Sequence, residues 1–208
     1  MVGLSVRTPL DYAKLAFFAL LGLCILAVIF VDERFLVIRS DPEWAHIQAF
    51  QWLLLPHGVA GTIALFAGPL QFSDRIRAAQ PAFHRTTGYV YIVSASITAA
   101  MGGYIGSHFG PPTIVVEEYF HGGLVLLATG MALICILNKN IPAHKIWMMR
   151  SYGVSLIFIW GRLPDVVHFH MSPQVLADVL WSGDILGLIA PDLMLTTRDL
   201  LRRRARRA

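Results

Sequence analysis

Eight histidines occur among the 208 residues, and four of them lie at or near the edges of long apolar runs. These four are His57, His84, His121 and His144. Neutral imidazole is a good ligand for iron and other transition metals. A six-coordinate haem takes one axial nitrogen from each side of its plane, so two histidines from different helices must meet at one depth. Such a ligand set closes the iron to substrate and favours electron transfer.

The composition indicates that lipid surrounds the elements that carry these histidines. The chain is 56% hydrophobic and only 14% charged, whereas soluble domains carry about 25% charged residues. Its length allows one membrane domain, residues 1–208, and no sizeable soluble one. The net charge of +4 does not indicate a nucleic-acid partner, because the basic residues lie between the apolar runs and at the C-terminus.

Six apolar runs have about the length needed to cross a membrane, which is about 20 residues. The runs are Leu15–Val31, Phe50–Phe72, Gly88–Ile105, Tyr119–Leu137, Ile146–Leu163 and Val175–Leu195. The last is the weakest because Asp178, Asp184 and Asp192 interrupt it. The sequence therefore predicts an all-α polytopic membrane protein with six transmembrane helices, in which spans two to five form a central four-helix bundle.

Lysine and arginine fall mainly on one side of this arrangement. They occur in the N-terminal segment, in the loops after spans two and four, and in the basic tail, residues 198–208, which has six arginines. Basic residues favour the cytoplasmic side. Both termini are therefore predicted to be cytoplasmic, most simply in a bacterial inner membrane, with the tail resting on anionic lipid.

This topology places the four histidines in two layers. His57 and His121 are early in spans that run inward, so they should lie in the outer half of the membrane. His84 and His144 immediately precede spans that run outward, so they should lie at the inner face. The 15 residues from His57 to Phe72 correspond to roughly 22 Å of helix. The pattern predicts one or two haem b groups, with these four histidines as iron ligands.

Two arginines and one aspartate stand out beside the histidines. Arg85 and Arg150 are candidates to bind haem propionates or an anionic reductant, since arginine pairs well with carboxylates. Asp184 lies in the middle of a span, where a charge is costly. It is a candidate ion or proton site, or an ion-pair partner of Arg162, for which Asp165 is the other candidate.

Several alternatives remain open from the residues alone. A histidine near a membrane interface often serves only as a hydrogen-bonding partner between helices. Three further histidines, His108, His168 and His170, lie in outer loops near acidic residues, where zinc or copper is conceivable.

Two motifs resemble a known family. The stretch contains GPLQF (Gly68–Phe72), HRTTGYVY (His84–Tyr91) and HKIWMMRSYG (His144–Gly153). These resemble the uncharacterised bacterial membrane proteins grouped as domain of unknown function 2306, and the similarity covers about half the chain. The resemblance implies membrane location but no particular activity.

A looser resemblance is to cytochrome b561 and its relatives, in which four central helices carry four histidines that bind two b-type haems. It implies that His57 pairs with His121 and His84 with His144. The predicted function is then an electron carrier that spans the bilayer, with quinone or another small redox donor or acceptor as its partner. The alternatives are a haem-free binding or transport protein with a cytoplasm-facing pocket for an anion or lipid headgroup, and an accessory subunit of a larger membrane complex.

Overall fold

A computed structural model describes residues 9–36, 38–40 and 42–205, and within these ranges the regular structure is entirely helical. The α-helices are α1 (Pro9–Ala27), α2 (Pro42–Ile47), α3 (Gln51–Gln71), α4 (Asp74–Ala79), α5 (Pro81–Phe109), α6 (Val115–Leu137), α7 (Ile141–Ser155), α8 (Ile157–Val166) and α9 (Pro173–Ala205). Short π or 3-10 segments cover Val28–Asp32, Glu33–Leu36, Gln48–Phe50 and Pro112–Ile114. The predicted all-α class is confirmed.

Within the described part of the chain, four helices are long and apolar enough to cross a membrane, and they match predicted spans two, three, four and six. They are Gln48–Gln71, Pro81–Phe109, Pro112–Leu137 and Pro173–Leu201. The predicted first span lies on a shorter apolar helix, Leu15–Val31. The predicted fifth span is divided into α7 and α8, which meet at Leu156. The polytopic membrane fold is confirmed, while the count of six spans stays a prediction.

Local sequence signals explain where several helices begin. The side chains of Ser73 and Asn140 accept hydrogen bonds from the first turns of α4 and α7, as expected at helix N-caps. Pro81 and Pro173 open α5 and α9, where the missing N–H of proline costs nothing. At the other end of the chain, α9 continues through most of the predicted basic tail to Ala205, and residues 206–208 lie outside the described part.

The helices α3, α5, α6, α7 and α9 pack side by side in chain order. Neighbours are antiparallel: Gln71 at the end of α3 lies 2.8 Å from the Thr87 hydroxyl near the start of α5. The bundle therefore has two ends. We call the end with the first turns of α3 and α6 the acidic end, and the end with the first turns of α5 and α7 the basic end.

The closest helix crossing is between α7 and α9. A Cβ added at Gly153 would lie 2.7 Å from the carbonyl oxygen of Gly187, so only glycine allows the two backbones to approach this far. Small residues serve this purpose widely in membrane bundles. The crossing fixes α9, and with it Asp184 and Asp192, against α7.

Hydroxyl groups join the helices at mid-depth, between the two ends. Ser151 Oγ lies 2.8 Å from the Tyr91 hydroxyl and 2.7 Å from Thr129 Oγ1, and all three residues are fully buried. The Tyr152 hydroxyl donates to the carbonyl of Leu65 at 3.0 Å. Polar groups inside a membrane must find partners within the protein. This network satisfies that need and occupies the bundle centre.

Candidate functional site

The four candidate histidines occupy matching positions on the bundle helices. His57 and His121 are the seventh residues of α3 and α6. His84 and His144 are the fourth residues of α5 and α7. Because these helices alternate in direction, the first two lie at the acidic end and the other two at the basic end.

The members of each predicted pair lie at the same end of the bundle. His57 and His121 are within range of an electrostatic interaction with each other, and so are His84 and His144. All four residues are partly buried. Two haems would each need a pair of histidines from different helices, and the two ends of the bundle each have such a pair. Iron binding itself stays a prediction.

Hydrogen bonds orient the rings of two of these histidines. His57 Nδ1 lies 3.0 Å from the Thr98 carbonyl oxygen, and His144 Nδ1 lies 2.9 Å from that of Ala132. A carbonyl oxygen only accepts, so Nδ1 carries the proton and Nε2 of the neutral ring keeps its lone pair. A metal-binding histidine is typically held this way, through its other nitrogen. The donor chemistry therefore fits an axial role.

The His57 ring also packs tightly against a neighbouring helix. A Cβ at Gly102 of α5 would lie 2.8 Å from His57 Cε1. A glycine at this position leaves room for the imidazole beside the α5 backbone. The ring is thus positioned by α5 through both packing and its hydrogen bond.

Positive charge surrounds the histidine pair at the basic end. Arg77 forms an ion pair with Asp74, and its charge also acts on His84. Arg85 follows His84 directly and is exposed. These cations suit an anionic group, such as a propionate, next to the pair.

Arg150 contacts other side chains of the protein. Its guanidinium donates to Asp192 Oδ2 of α9 at 2.6 Å and lies 4.6 Å from the ring centroid of Trp147. These contacts tie α7 to α9 and account for this arginine structurally. A cofactor-binding role for Arg85 or Arg150 stays a prediction.

Three side chains converge at the acidic end, two from α6 and one from α9. His121 Nδ1 lies 2.8 Å from Asp184 Oδ1. One potential ligand atom from each of Glu117, His121 and Asp184 lies within 4.8 Å of the others. Glu117 is 2% exposed and Asp184 is 1% exposed. We call these three residues the buried triad.

The carboxylates of the buried triad are incompletely paired. Glu117 Oε1 and Asp184 Oδ2 have no hydrogen-bond partner among the described residues. An unpaired buried polar group costs about 1–3 kcal/mol, and a charged one costs more. Two carboxylates at this separation also repel each other in a medium of low dielectric. The arrangement requires protons or a cation to offset the negative charge.

Further charged groups surround the buried triad. Glu118 interacts electrostatically with His121, Asp184 and Arg162. Arg162 Nε lies 3.4 Å from Glu33 Oε1, and Glu33 is itself buried. The sequence predicts Asp184 or Asp165 as the ion-pair partner of Arg162, and no sequence pattern points to Glu33.

The histidines predicted in outer loops do not join the buried triad. His108 was wrongly predicted in a loop, since it lies in the last turn of α5. Its exposed ring stacks on Tyr104 with ring centroids 4.0 Å apart. His170 Nδ1 lies 3.2 Å from Asp165 Oδ1. His168 adopts a positive φ of 58°. Within the described residues, the group that could hold a metal ion is the buried triad.

Sequence reasoning found two members of the buried triad and missed the third. The sequence predicts His121 as a haem ligand and Asp184 as an ion or proton site, but it indicates no particular role for Glu117. The four-residue spacing of Glu117 and His121 places them on one helix face, which is a signal that could have been used. Asp184 is 63 residues away from His121, so only the folded bundle links it to them.

The fold and these sites define an all-α integral membrane protein with histidines and carboxylates inside its bundle. A family model described as predicted membrane protein (DUF2306) matches residues 54–190, which is more than half of the chain. The chain belongs to this family, as its motifs indicated. Neither the curated proteins nor the solved structures contain a match. The resemblance to cytochrome b561 stays a prediction.

Proposed function

We propose that this protein is a membrane electron carrier that holds haem b between paired histidines, with His84 and His144 as the ligand pair at the basic end. The observation that supports the proposal is the placement of the four histidines. His84 and His144 are the fourth residues of α5 and α7 at one end of the bundle. His57 and His121 are the seventh residues of α3 and α6 at the other end. Two imidazoles that approach from different helices are the ligand set of a closed, electron-transferring haem.

The residues around the basic-end pair support this role. The Ala132 carbonyl holds Nδ1 of His144, which leaves Nε2 directed to a ligand. The exposed Arg85 is adjacent to His84 and can bind a carboxylate group of the cofactor. When bound, haem b supplies a one-electron couple whose potential depends on its axial ligands and burial.

His57 and His121 stay the predicted ligand pair of a second haem at the acidic end, whereas the proposed electron carrier requires only the basic-end haem. With both pairs occupied, electrons could be exchanged with a small donor or acceptor, such as a quinone, at either face. The lysine and arginine bias of the loops supports a bacterial inner-membrane location with cytoplasmic termini. The apolar outer surface of the bundle, including Leu127 and Leu186, supports contact with membrane lipid.

The alternative predicted from sequence, a cytoplasm-facing pocket for an anion or a lipid headgroup, has weaker support. It needs the arginines of the two motifs to be available to a ligand. Arg150 instead pairs with Asp192 and lies over Trp147, which leaves the exposed Arg85 as the motif arginine most available to such a ligand.

Haem content tests the proposal. Protein purified in mild detergent from haem-replete cells should show a Soret band and, on reduction, a sharp α band. His84→Ala and His144→Ala should each lose the basic-end haem, measured as pyridine haemochromogen per chain. The matched control is His108→Ala, which removes an exposed histidine outside both pairs.

A colourless preparation of folded wild-type protein would show that the proposal is wrong. Unchanged haem content in both variants, with monodisperse protein of wild-type helicity, would show that the basic-end assignment is wrong even if haem binds elsewhere.

A further inference from the structure

The buried triad holds two carboxyl groups close together without a full set of hydrogen-bond partners among the described residues. Glu117 and Asp184 are almost completely buried, and each has one oxygen without a hydrogen-bond partner among the described residues. His121 contacts Asp184 through Nδ1 at 2.8 Å. Buried ionisable groups inside a membrane bundle are costly and indicate a function by default.

We propose that Glu117, His121 and Asp184 bind one divalent first-row transition-metal ion at the acidic end of the bundle. The ion would lie between the potential ligand atoms of the three side chains, which are within 4.8 Å of one another. A divalent cation balances two carboxylates, and a neutral imidazole adds a ligand without adding charge. The site would then be electrically neutral inside the bilayer, where uncompensated charge is most costly.

The donor set determines the class of metal. One imidazole nitrogen with two carboxylate oxygens suits zinc, manganese, ferrous iron or cobalt. Calcium is less suitable because it takes six to eight oxygen ligands. A soft ion such as Cu(I) prefers thiolate or thioether ligands, which the buried triad lacks.

The potential ligand atoms need to move only slightly closer together to bind an ion. The potential ligand atoms lie within 4.8 Å of one another. Ligands about 2.0–2.2 Å from a tetrahedral ion are roughly 3.3–3.6 Å apart. Rotation of the Glu117 and Asp184 side chains can supply that difference, since the fold already holds their ligand atoms within 4.8 Å of each other. Solvent or another protein group would complete the coordination.

This inference is independent of haem at the basic end, but it competes with a haem at the acidic end. A metal ion bound to His121 Nδ1 requires that this nitrogen carry no proton. A histidine that binds haem iron through Nε2 keeps its proton on Nδ1, so His121 cannot serve both sites. Measuring metal and haem in the same samples therefore separates the two proposals.

Metal binding to the purified full-length protein tests the inference. After chelator dialysis, the protein is titrated with Co²⁺, whose visible spectrum reports tetrahedral coordination, and separately with Zn²⁺ and Mn²⁺ followed by elemental analysis. We expect one tightly bound ion per chain. Glu117→Gln and Asp184→Asn should each weaken binding at least tenfold, and the double variant should bind no ion at the site.

Two control variants each remove an exposed carboxylate outside the buried triad. Asp178→Asn and Asp199→Asn both change an exposed aspartate of α9. Both should bind the ion with wild-type stoichiometry and with less than a threefold change in affinity. The same samples are assayed for haem, and His121→Ala should lose the metal ion while keeping the basic-end haem.

The inference is overturned if the wild-type protein binds no stoichiometric ion, or if Glu117→Gln and Asp184→Asn bind it as tightly as the controls do. It is also overturned if His121→Ala loses a haem rather than a metal ion. None of these results affects the assignment of His84 and His144 as haem ligands, because that assignment is tested by haem content alone.

Discussion

Each end of the bundle contains a pair of histidines, but the two pairs have different surroundings. At the basic end, His84 and His144 lie near the bundle surface, with a backbone carbonyl and the charge of Arg77 as neighbours. At the acidic end, His121 contacts Asp184 beside the fully buried Glu117. The two ends therefore differ in the charged groups near the histidines and not in the histidines themselves.

This difference indicates which occupant each end can accept. Cations near a histidine pair favour a cofactor that carries negative groups, as haem does. Buried carboxylates favour a cation, because an uncompensated negative charge inside the bilayer is expensive. A single bundle can therefore offer two chemically distinct sites by varying only a few residues around a repeated histidine.

The largest expected effect comes from disrupting the crossing that holds α9. In Gly187→Ala, the new Cβ would lie 2.6 Å from the backbone nitrogen of Val154, so α9 must move away from α7. We expect a loss of about 3 kcal/mol in the free energy of unfolding, as for other overpacked sites. Ion binding by the buried triad should weaken because Asp184 moves with α9, while the basic-end pair on α5 and α7 is retained. Thermal unfolding in detergent and metal and haem content measure these outcomes.

The control is Gly130→Ala, since a Cβ there meets no atom within 4 Å, and this variant should be as stable as the wild type or slightly more so. Equal loss of both sites in Gly187→Ala would show that the two ends are not separable.

A smaller effect is expected from the hydroxyl network between the ends. Ser151→Ala removes the group that Tyr91 and Thr129 both contact. Leaving buried hydroxyls unsatisfied should cost about 1–2 kcal/mol, measured as a lower unfolding temperature. Because the network lies between the ends, metal and haem stoichiometry should both be unchanged.

Ser182→Ala is the control, since the exposed Ser182 hydroxyl donates to a carbonyl of its own helix, that of Asp178. If Ser151→Ala selectively abolished one site, the network would have to be counted as part of that site.

The smallest effect is expected from the ion pair between Arg150 and Asp192. Asp192→Asn removes a partly exposed charge that lies 2.6 Å from the guanidinium. Ion pairs of this exposure contribute about 0.2–1 kcal/mol, so thermal stability should fall slightly. Arg150 is then released from its partner, and haem content should not decrease. A marked loss of haem would indicate that the pair positions α7 at the basic end.

The sequence by itself determined the class of the protein and the positions of its histidines along the helices. Apolar runs of membrane-spanning length need no tertiary information, because a backbone surrounded by lipid must satisfy its own hydrogen bonds. The distance of each histidine from the end of its apolar run then predicted its depth in the membrane. This applies to His57, His84, His121 and His144. The division of the fifth span at Leu156 was not predicted, since the run Ile146–Leu163 shows no interruption strong enough to indicate it.

Only the tertiary structure decided which groups surround each histidine. The contact between His121 and Asp184 joins residues on α6 and α9, and it depends on how closely glycines allow α9 to approach the bundle. Neither hydropathy nor spacing encodes such a contact, because it follows from helix packing rather than from any local pattern. For the same reason, the burial of Glu117, which makes its charge significant, could be seen only after the helices were assembled.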